Sequence, residues 1–426
     1  MKLLIVTYSY TPDLTPRAFR WSAVAAHLAA RGHEVHVLCA SVPDPGIPHN
    51  GATVHRVRDW LLNGSGRVVE GGGQEHAAAS AGICDTLRRA VRKAVRALWR
   101  NLHWPDYGCG WVLPTLAAAR VLQAEHRFDW VISSSHPFTS HLVALLLKTK
   151  TAKTRWFVDI SDPYSPLKEP SPYNRTLYNW LSRIVENRVI AQADAISVTT
   201  DGTAGLYARY FPLSCGKTWV IPPLLSLPAI PARTRSDDGV LRLVFVGTLY
   251  RKLRSPRYLL SCFAALQTAF PNRRMELHFY GAVNDCGEVL AARPLGVRST
   301  VHVHGLVARK TVLQAMVDAD VLVNIGNDSE TQLASKVVEY MAVGRPILNI
   351  ISKAQDISVE TLADYPAVLT IQRLATGPSP QVMMSLERFL FDLPQVPPHN
   401  VQAVQERYAP LRIALQYAEI LEAQRE

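Results

Sequence analysis

Met1-Lys2-Leu3-Leu4-Ile5-Val6-Thr7, then Arg20-Trp21-Ser22-Ala23-Val24-Ala25-Ala26-His27-Leu28-Ala29-Ala30-Arg31-Gly32, then Val35-His36-Val37-Leu38-Cys39, is the stretch that decides the fold. The first apolar run gives way at once to polar and proline-containing sequence, so it lacks the length of a signal-peptide core and reads as a strand. The alanine-rich middle is a helix stopped by Gly32. Strand, loop, helix and strand make one βαβ unit of a parallel sheet.

Outward from this unit, apolar runs recur with room for a helix between them at Trp130 to Ser134, Trp156 to Asp159 and Ala195 to Thr199. From Pro222 to Gly239 the chain turns proline-rich and then polar, as an inter-domain connection does. A second series follows, with strands at Leu241 to Val246, Glu276 to Phe279, Val301 to His304, Val321 to Ile325 and Pro346 to Ile350. Pro256 to Ala269 and Thr311 to Ala319 are helical between them. The expectation is an α/β chain of two Rossmann-like domains, 1–221 and 241–392, joined by a linker at 222–240. They face each other across a cleft, because open parallel sheets bind ligands at the carboxyl ends of their strands. Residues 393–426 end in a helix from Val401 to about Ala423 that is expected to cross back onto the first domain.

A chain of 426 residues suits two such cores, and 48% hydrophobic with 19% charged residues is the composition of a folded protein. No apolar segment is long enough to span a bilayer. The six cysteines (39, 84, 109, 215, 262 and 286) are scattered, with no zinc-ligand spacing, and read as free thiols of a reducing cytosol. The net charge of +11 calls for an anionic partner: nucleic acid, lipid or a phosphorylated substrate.

The stretch from Ser329 to Leu348, Ser-Glu-Thr-Gln-Leu-Ala-Ser-Lys-Val-Val-Glu-Tyr-Met-Ala-Val-Gly-Arg-Pro-Ile-Leu, is a strand-end loop feeding a helix that stops at Gly344. The helix start offers backbone N–H groups and a positive dipole end to a diphosphate, and Lys336 adds a full charge. Glu339 is able to accept two ribose hydroxyls. Phe245-Val246-Gly247-Thr248-Leu249-Tyr250-Arg251-Lys252-Leu253-Arg254-Ser255-Pro256 is a strand ending at a glycine, with three cations before the next helix. In outline it is a loop that faces phosphate.

The run from Ser335 to Leu348 resembles the donor-site signature of glycosyltransferase family 4, in the subset that assembles bacterial surface polysaccharides. That resemblance implies the GT-B fold and transfer with retention of anomeric configuration, by same-face attack in which the departing phosphate helps deprotonate the acceptor. It places donor contacts on Gly247, Glu330, Thr331, Gln332, Leu333, Ala334, Ser335, Lys336 and Glu339. Glu339 takes the ribose, while the family's first glutamate falls on Thr331, with Glu330 one residue away. The diphosphate goes to Arg254, with Arg251 as the alternate. No Asp-x-Asp motif is present, which agrees with the implied metal-independent mode, in which cations replace Mg²⁺. No cofactor is expected beyond the nucleoside-diphosphate sugar, of UDP or GDP type, that serves as donor.

In the first domain Thr11 to Arg20 follows the first strand and contains no glycine, which disfavours a nicotinamide cofactor. By resemblance it is the loop over donor phosphate and acceptor, with Pro16 and Arg17 as contacts. His136 and Asp162 follow two further strands, where the resembling enzymes keep polar groups. His136 is expected to hydrogen-bond the transferred sugar and Asp162 to orient the acceptor hydroxyl, making His136, Asp162, Arg254 and Lys336 the catalytic candidates.

Leu87 to Leu102 places Leu87, Val91, Val95, Leu98 and Leu102 on one helical face, with Arg88, Arg89, Arg92, Lys93, Arg96 and Arg100 off it and Trp99 near the end. A basic amphipathic helix of this kind suits an anionic bilayer surface, and equally a core-facing helix with a solvated basic side. Nucleic acid is disfavoured, since no recognised module surrounds the patch.

The expectation is therefore a hexosyl- or deoxyhexosyltransferase acting on a lipid-linked or polysaccharide acceptor in cell-surface glycan synthesis, cytoplasmic and peripheral on the inner face of the membrane. Two alternatives stand beside it: a sugar-nucleotide 2-epimerase on the same fold, and a non-catalytic nucleotide-binding scaffold subunit.

Overall fold

A computed structural model describes the chain except for residues 14, 42–49, 61–101, 149–152, 167–174, 228, 236–237 and 425–426. The chain forms two compact units. One comprises the described residues up to Pro222 together with those from Pro410 onward, and the other is Pro223–Ala409.

The first unit is built on β1 (Lys2–Thr7), β2 (Glu34–Ala40), β3 (Thr53–Val57), β4 (Trp130–Ser135), β5 (Arg155–Ile160), β6 (Ala195–Val198) and β7 (Thr218–Val220). All pair in parallel, in the order β3-β2-β1-β4-β5-β6-β7. β1 and β4 are buried almost end to end because helices cover both faces of a parallel sheet. The outer strands β3 and β7 are short and only half-buried, so they lack the apolar run by which the sequence announces the inner ones.

The helix Pro16–Ala30 starts four residues earlier than the apolar pattern suggests. Thr15 accepts a hydrogen bond from the Ala18 amide and Pro16 supplies the pre-set first helical residue. Pro16 and Arg17, expected in a loop, therefore sit in the first helical turn. Gly32 ends the segment at φ 82°, the left-handed conformation.

The C-terminal segment, read as one helix from Val401, is two: Pro398–Arg407 and Pro410–Ala423. Pro410 cannot donate the backbone bond that would fuse them. The first piece belongs to the second unit and the last helix to the first. There Arg20, buried, donates through Nε to the Tyr417 hydroxyl (2.8 Å) and through Nη1 and Nη2 to the carbonyls of Pro222 and Ile221 (2.8 and 3.0 Å). Tyr417 in turn donates to Asp159 Oδ1 (2.7 Å) on β5, which also collects Ser197 Oγ, Ser134 Oγ and Trp21 Nε1. Two opposite charges are thus buried with every strong donor in the cluster used.

The second unit repeats the plan with β8 (Leu241–Val246), β9 (Met275–Tyr280), β10 (Val301–Gly305), β11 (Val321–Ile325), β12 (Ile347–Ile351) and β13 (Val368–Gln372), in the order β10-β9-β8-β11-β12-β13. In both sheets the order reverses beside the first strand, at β1/β4 and at β8/β11, and the crevice at such a switch point is where open α/β sheets take ligands. The stretch 222–240, read as a linker, is bonded to this unit: Leu225 donates to the Tyr408 carbonyl (2.8 Å) and Arg235 pairs with Asp320 (2.7 Å). Gly344 ends the helix Ser335–Val343 at φ 76°, and a Cβ there would stand 2.7 Å from a Val401 methyl, so the close approach needs glycine as well as the turn. Among the described residues no helix is long and apolar enough to cross a membrane.

The Arg20–Tyr417–Asp159 chain sets a stability test. Tyr417→Phe leaves Arg20 Nε without an acceptor and is expected to cost about 1–3 kcal/mol in denaturant unfolding. Arg31→Ala breaks only the partly exposed pair with Glu422 and should stay within about 1 kcal/mol of the parent. Equal losses for the two variants would show that the buried network is not what holds the last helix.

Candidate active site

At the switch point of the second unit, β8 ends at Gly247 (φ 136°) and β9 at Gly281 (φ 120°). A Cβ on Gly281 would come within 2.2 Å of the Gly247 carbonyl, so both strand ends are bare backbone packed together. A Cβ on Gly247 would meet Lys336 Nζ at 3.3 Å, which places that ammonium group directly over the glycine.

Lys336 lies in the first turn of the helix Ser335–Val343, whose start has no side-chain cap. It is 8% exposed, its Nζ stands 4.0 Å from the centre of the Phe245 ring, and no hydrogen-bond acceptor reaches it. Burial, and then the nearby Arg254, pull its pKa well below the ordinary lysine value. Arg254 is held by Nε donating to Asn327 Oδ1 (2.5 Å), at the end of β11, and by Nη1 donating to the Thr248 carbonyl (3.4 Å). Burial lowers its pKa too. Among the described residues neither cation makes an ion pair. Two basic groups share a site with neutral acceptors and no carboxylate bonded to either, so full positive charge on both is disfavoured unless an anion enters.

The helix is fixed by Tyr340, whose buried hydroxyl accepts from the Val246 amide (2.8 Å) and reaches the Val323 carbonyl (3.2 Å), tying it to both strands of the switch point. One helical turn from Lys336, Glu339 Oε1 accepts from Arg309 Nη2 (2.8 Å) and, at 3.4 Å, from Ser226 Oγ. Oε2 makes no hydrogen bond among the described residues and remains open to a hydroxyl donor.

Arg251, the alternate to Arg254, is turned elsewhere: its side chain bonds the Asp285 carbonyl and Glu288 (2.7 Å). In the loop before the helix, Ser329 Oγ accepts from the amides of Thr331 and Gln332, Asn327 Nδ2 donates to the Gln332 carbonyl, and Glu330 is exposed. Leu333, Ala334 and Ser335 are half-buried and lead into the first turn. Asn327 and Arg309 escaped the sequence reading. Their only signal was position: Asn327 just past a strand end at a switch point, and Arg309 at the start of the helix after β10.

In the first unit, three residues converge from one helix start and two strand ends. Arg17 Nη2 donates to Asp162 Oδ2 (2.6 Å), and His136 lies within the field of both. His136 packs edge-on against Tyr107, ring centres 5.2 Å apart. Its pKa is pushed down to about 3, by burial first and then by Arg17, so its imidazole is neutral at pH 7. The seven basic-helix residues Arg88, Arg89, Arg92, Lys93, Arg96, Trp99 and Arg100 lie outside the described residues.

Comparison with known proteins bears on the family and the fold. A family described as "Glycosyl transferase 4-like domain" matches residues 18–224, and one described as "Glycosyl transferases group 1" matches residues 241–359. No curated protein sequence matches the chain significantly. Among solved structures, WaaG, a glycosyltransferase involved in lipopolysaccharide biosynthesis, is 15% identical over 99% of each chain with a TM-score of 0.56. The trehalose-6-phosphate phosphatase N-terminal domain of Candida albicans is 12% identical over 100% of this chain and 97% of that one, TM-score 0.63. A putative UDP-N-acetylglucosamine 2-epimerase from Listeria monocytogenes is 13% identical over 99% and 96%, TM-score 0.53. At these identities the structures speak for the fold alone. The two family matches take in most of the chain, one on each Rossmann-like unit, and the chain belongs to the glycosyltransferases of family-4 type with the GT-B fold.

Proposed function

We propose that this chain is a retaining, metal-independent glycosyltransferase that moves a hexose or deoxyhexose from a UDP- or GDP-sugar to a hydroxyl of a lipid-linked or glycan acceptor. The observation that carries the donor side is the buried, unpaired Lys336 ammonium beside Arg254. A diphosphate at the start of the helix Ser335–Val343 supplies the missing counter-charge and accepts from the two cations, while the helix dipole adds to the attraction. As the sugar–phosphate bond breaks, negative charge grows on the departing diphosphate, and these same groups stabilise it more than they stabilise the intact donor. Glu339, oriented by Arg309, accepts from ribose hydroxyls. On the first unit Asp162, held by Arg17, orients the acceptor hydroxyl, and neutral His136 hydrogen-bonds the transferred sugar. A departing phosphate oxygen takes the acceptor proton, which gives retention by same-face attack.

The surface-glycan setting rests on the family resemblance of the Ser335 to Leu348 run. A place on the inner face of the cytoplasmic membrane rests on the basic sequence from Leu87 to Leu102 and the net charge of +11.

Four outcomes check this reading. Lys336→Met removes a buried cation that has no partner, so the ligand-free protein should melt about 2–4 °C higher, while the stabilisation given by UDP or GDP disappears. Arg254→Ala should lower kcat/KM by about 10²–10³-fold. Retained nucleotide stabilisation in Lys336→Met would overturn the diphosphate site. Binding without turnover in the parent would favour the scaffold, and an epimerised nucleotide sugar formed without acceptor would favour the epimerase. For His136 the folded pKa lies below the unfolded value of about 6.5. The unfolded chain therefore binds the extra proton between pH 6.5 and about 3, and stability should fall as the pH drops through that window. The His136 ring signals in NMR should stay unmoved from pH 8 to pH 5, and a titration midpoint near 6.5 would refute the neutral role. Finally, co-sedimentation with vesicles should require anionic lipid and weaken with salt, and indifference to both would remove the membrane assignment.

A further inference from the structure

At the opposite end of the first sheet from its switch point, three side chains converge from two elements. Glu34 opens β2, His36 follows two residues later on the same face, and His126 is the last residue of the helix Val112–His126. Glu34 Oε1 stands 2.8 Å from His126 Nδ1 and 3.3 Å from His36 Nε2, and the three potential ligand atoms lie within 4.8 Å of one another. Ligands about 2.0–2.1 Å from a tetrahedral zinc ion are themselves roughly 3.3 Å apart, so the cluster needs little rearrangement to close on one.

We propose that Glu34 Oε1, His36 Nε2 and His126 Nδ1 hold a divalent transition-metal ion of the zinc class, with water in the fourth position. Imidazole with carboxylate is a donor set that suits such an ion, and the outer nitrogen of His36 already has a hydrogen-bond partner. His36 Nδ1 is 2.9 Å from His55 Nε2 on β3, and His126 Nε2 is 3.9 Å from Glu125 Oε1. On binding, each ligating imidazole moves its proton from the ligating nitrogen to the outer one: His36 then donates from Nδ1 to His55 Nε2, whose own proton shifts to its Nδ1, and His126 faces Glu125. No proton leaves the site. His36 is buried, so little water has to be stripped from its ring for a metal to bind. Phe128, buried against both rings, forms an apolar wall.

A similar trio, Glu276, His278 and His302, occurs in the second unit, but there the same Glu276 oxygen that faces His278 also accepts from Arg242 Nε (2.8 Å). A guanidinium already fills the cation's place. At Glu34 the corresponding cation, Lys2, stands on the other carboxylate oxygen at 3.5 Å and is half exposed. The ion would clamp β2, its neighbour β3 through His55, and the end of the helix, away from the sugar-transfer residues.

Equilibrium dialysis of the full chain against Co²⁺, followed by the visible spectrum, tests this. The expected result is one Co²⁺ per chain with the intense absorption of a tetrahedral site, displaced by Zn²⁺. Glu34→Gln and His126→Gln, at partly exposed positions, should each weaken binding about tenfold or more, while His278→Gln leaves it unchanged. Absence of stoichiometric binding by the parent chain overturns the proposal, whatever the variants do. So does binding retained in both first-unit variants, or lost in His278→Gln.

Discussion

The Lys336 ammonium group, buried over Phe245 and Gly247 with no acceptor, is the constraint around which the second unit is arranged. Holding it there costs free energy, and the surrounding structure is fixed so that the side chain cannot swing out to escape the cost. Tyr340 ties the helix to β8 and β11, Gly344 brings its far end against Val401, and Arg254 is locked on Asn327. The glycines matter for the same reason: any side chain at 247 or 281 would push the lysine or the strand ends apart. Remove the unpaired charge and these restraints have no common purpose.

Topology then separates roles along each sheet. The carboxyl ends at the two switch points carry groups suited to anions and hydroxyls: Arg254, Lys336 and Glu339 in one unit, Arg17, His136 and Asp162 in the other. The amino ends carry Glu-x-His pairs, Glu34 with His36 and Glu276 with His278, whose two-residue spacing puts both on one face of a strand. The groups proposed for sugar transfer lie at one end of the sheet, and the proposed metal cross-link of the first unit lies at the other.

The inner strands were legible because burial on both faces writes them as continuous apolar runs, as in Leu3 to Val6 or Val321 to Ile325. β3, β7 and β13 were not, since half-exposed edge residues such as Thr53 to Val57 carry no such run. Of the candidate site, Lys336, Glu339 and Gly247 stand in two contiguous segments with a local pattern, by which the sequence singles them out. Asn327, Arg309 and Tyr417 act through distant partners, at separations of 73, 30 and 258 residues, which no local pattern records. The same limit hid the Glu34–His36–His126 cluster, whose third member lies on another element. The sequence reading ran one helix through Pro410, where the structure has two, because an apolar pattern on both sides of the proline reads as continuous.

Arg20 and Lys336 are both buried cations, and the difference between them separates structure from function. Arg20 spends its guanidinium on Tyr417, Ile221 and Pro222, with the Asp159 charge one hydroxyl away, and nothing more is needed to make its burial tolerable. Lys336 sits in equal isolation from water, and the residues near it offer a ring face and a second cation. A protein that satisfies one buried charge so completely has the means to satisfy the other, since an aspartate in place of neutral Asn327 would place a carboxylate within the cluster through Arg254. An open electrostatic deficit of this kind persists where a ligand closes it. On the function proposed above, that ligand is the donor diphosphate.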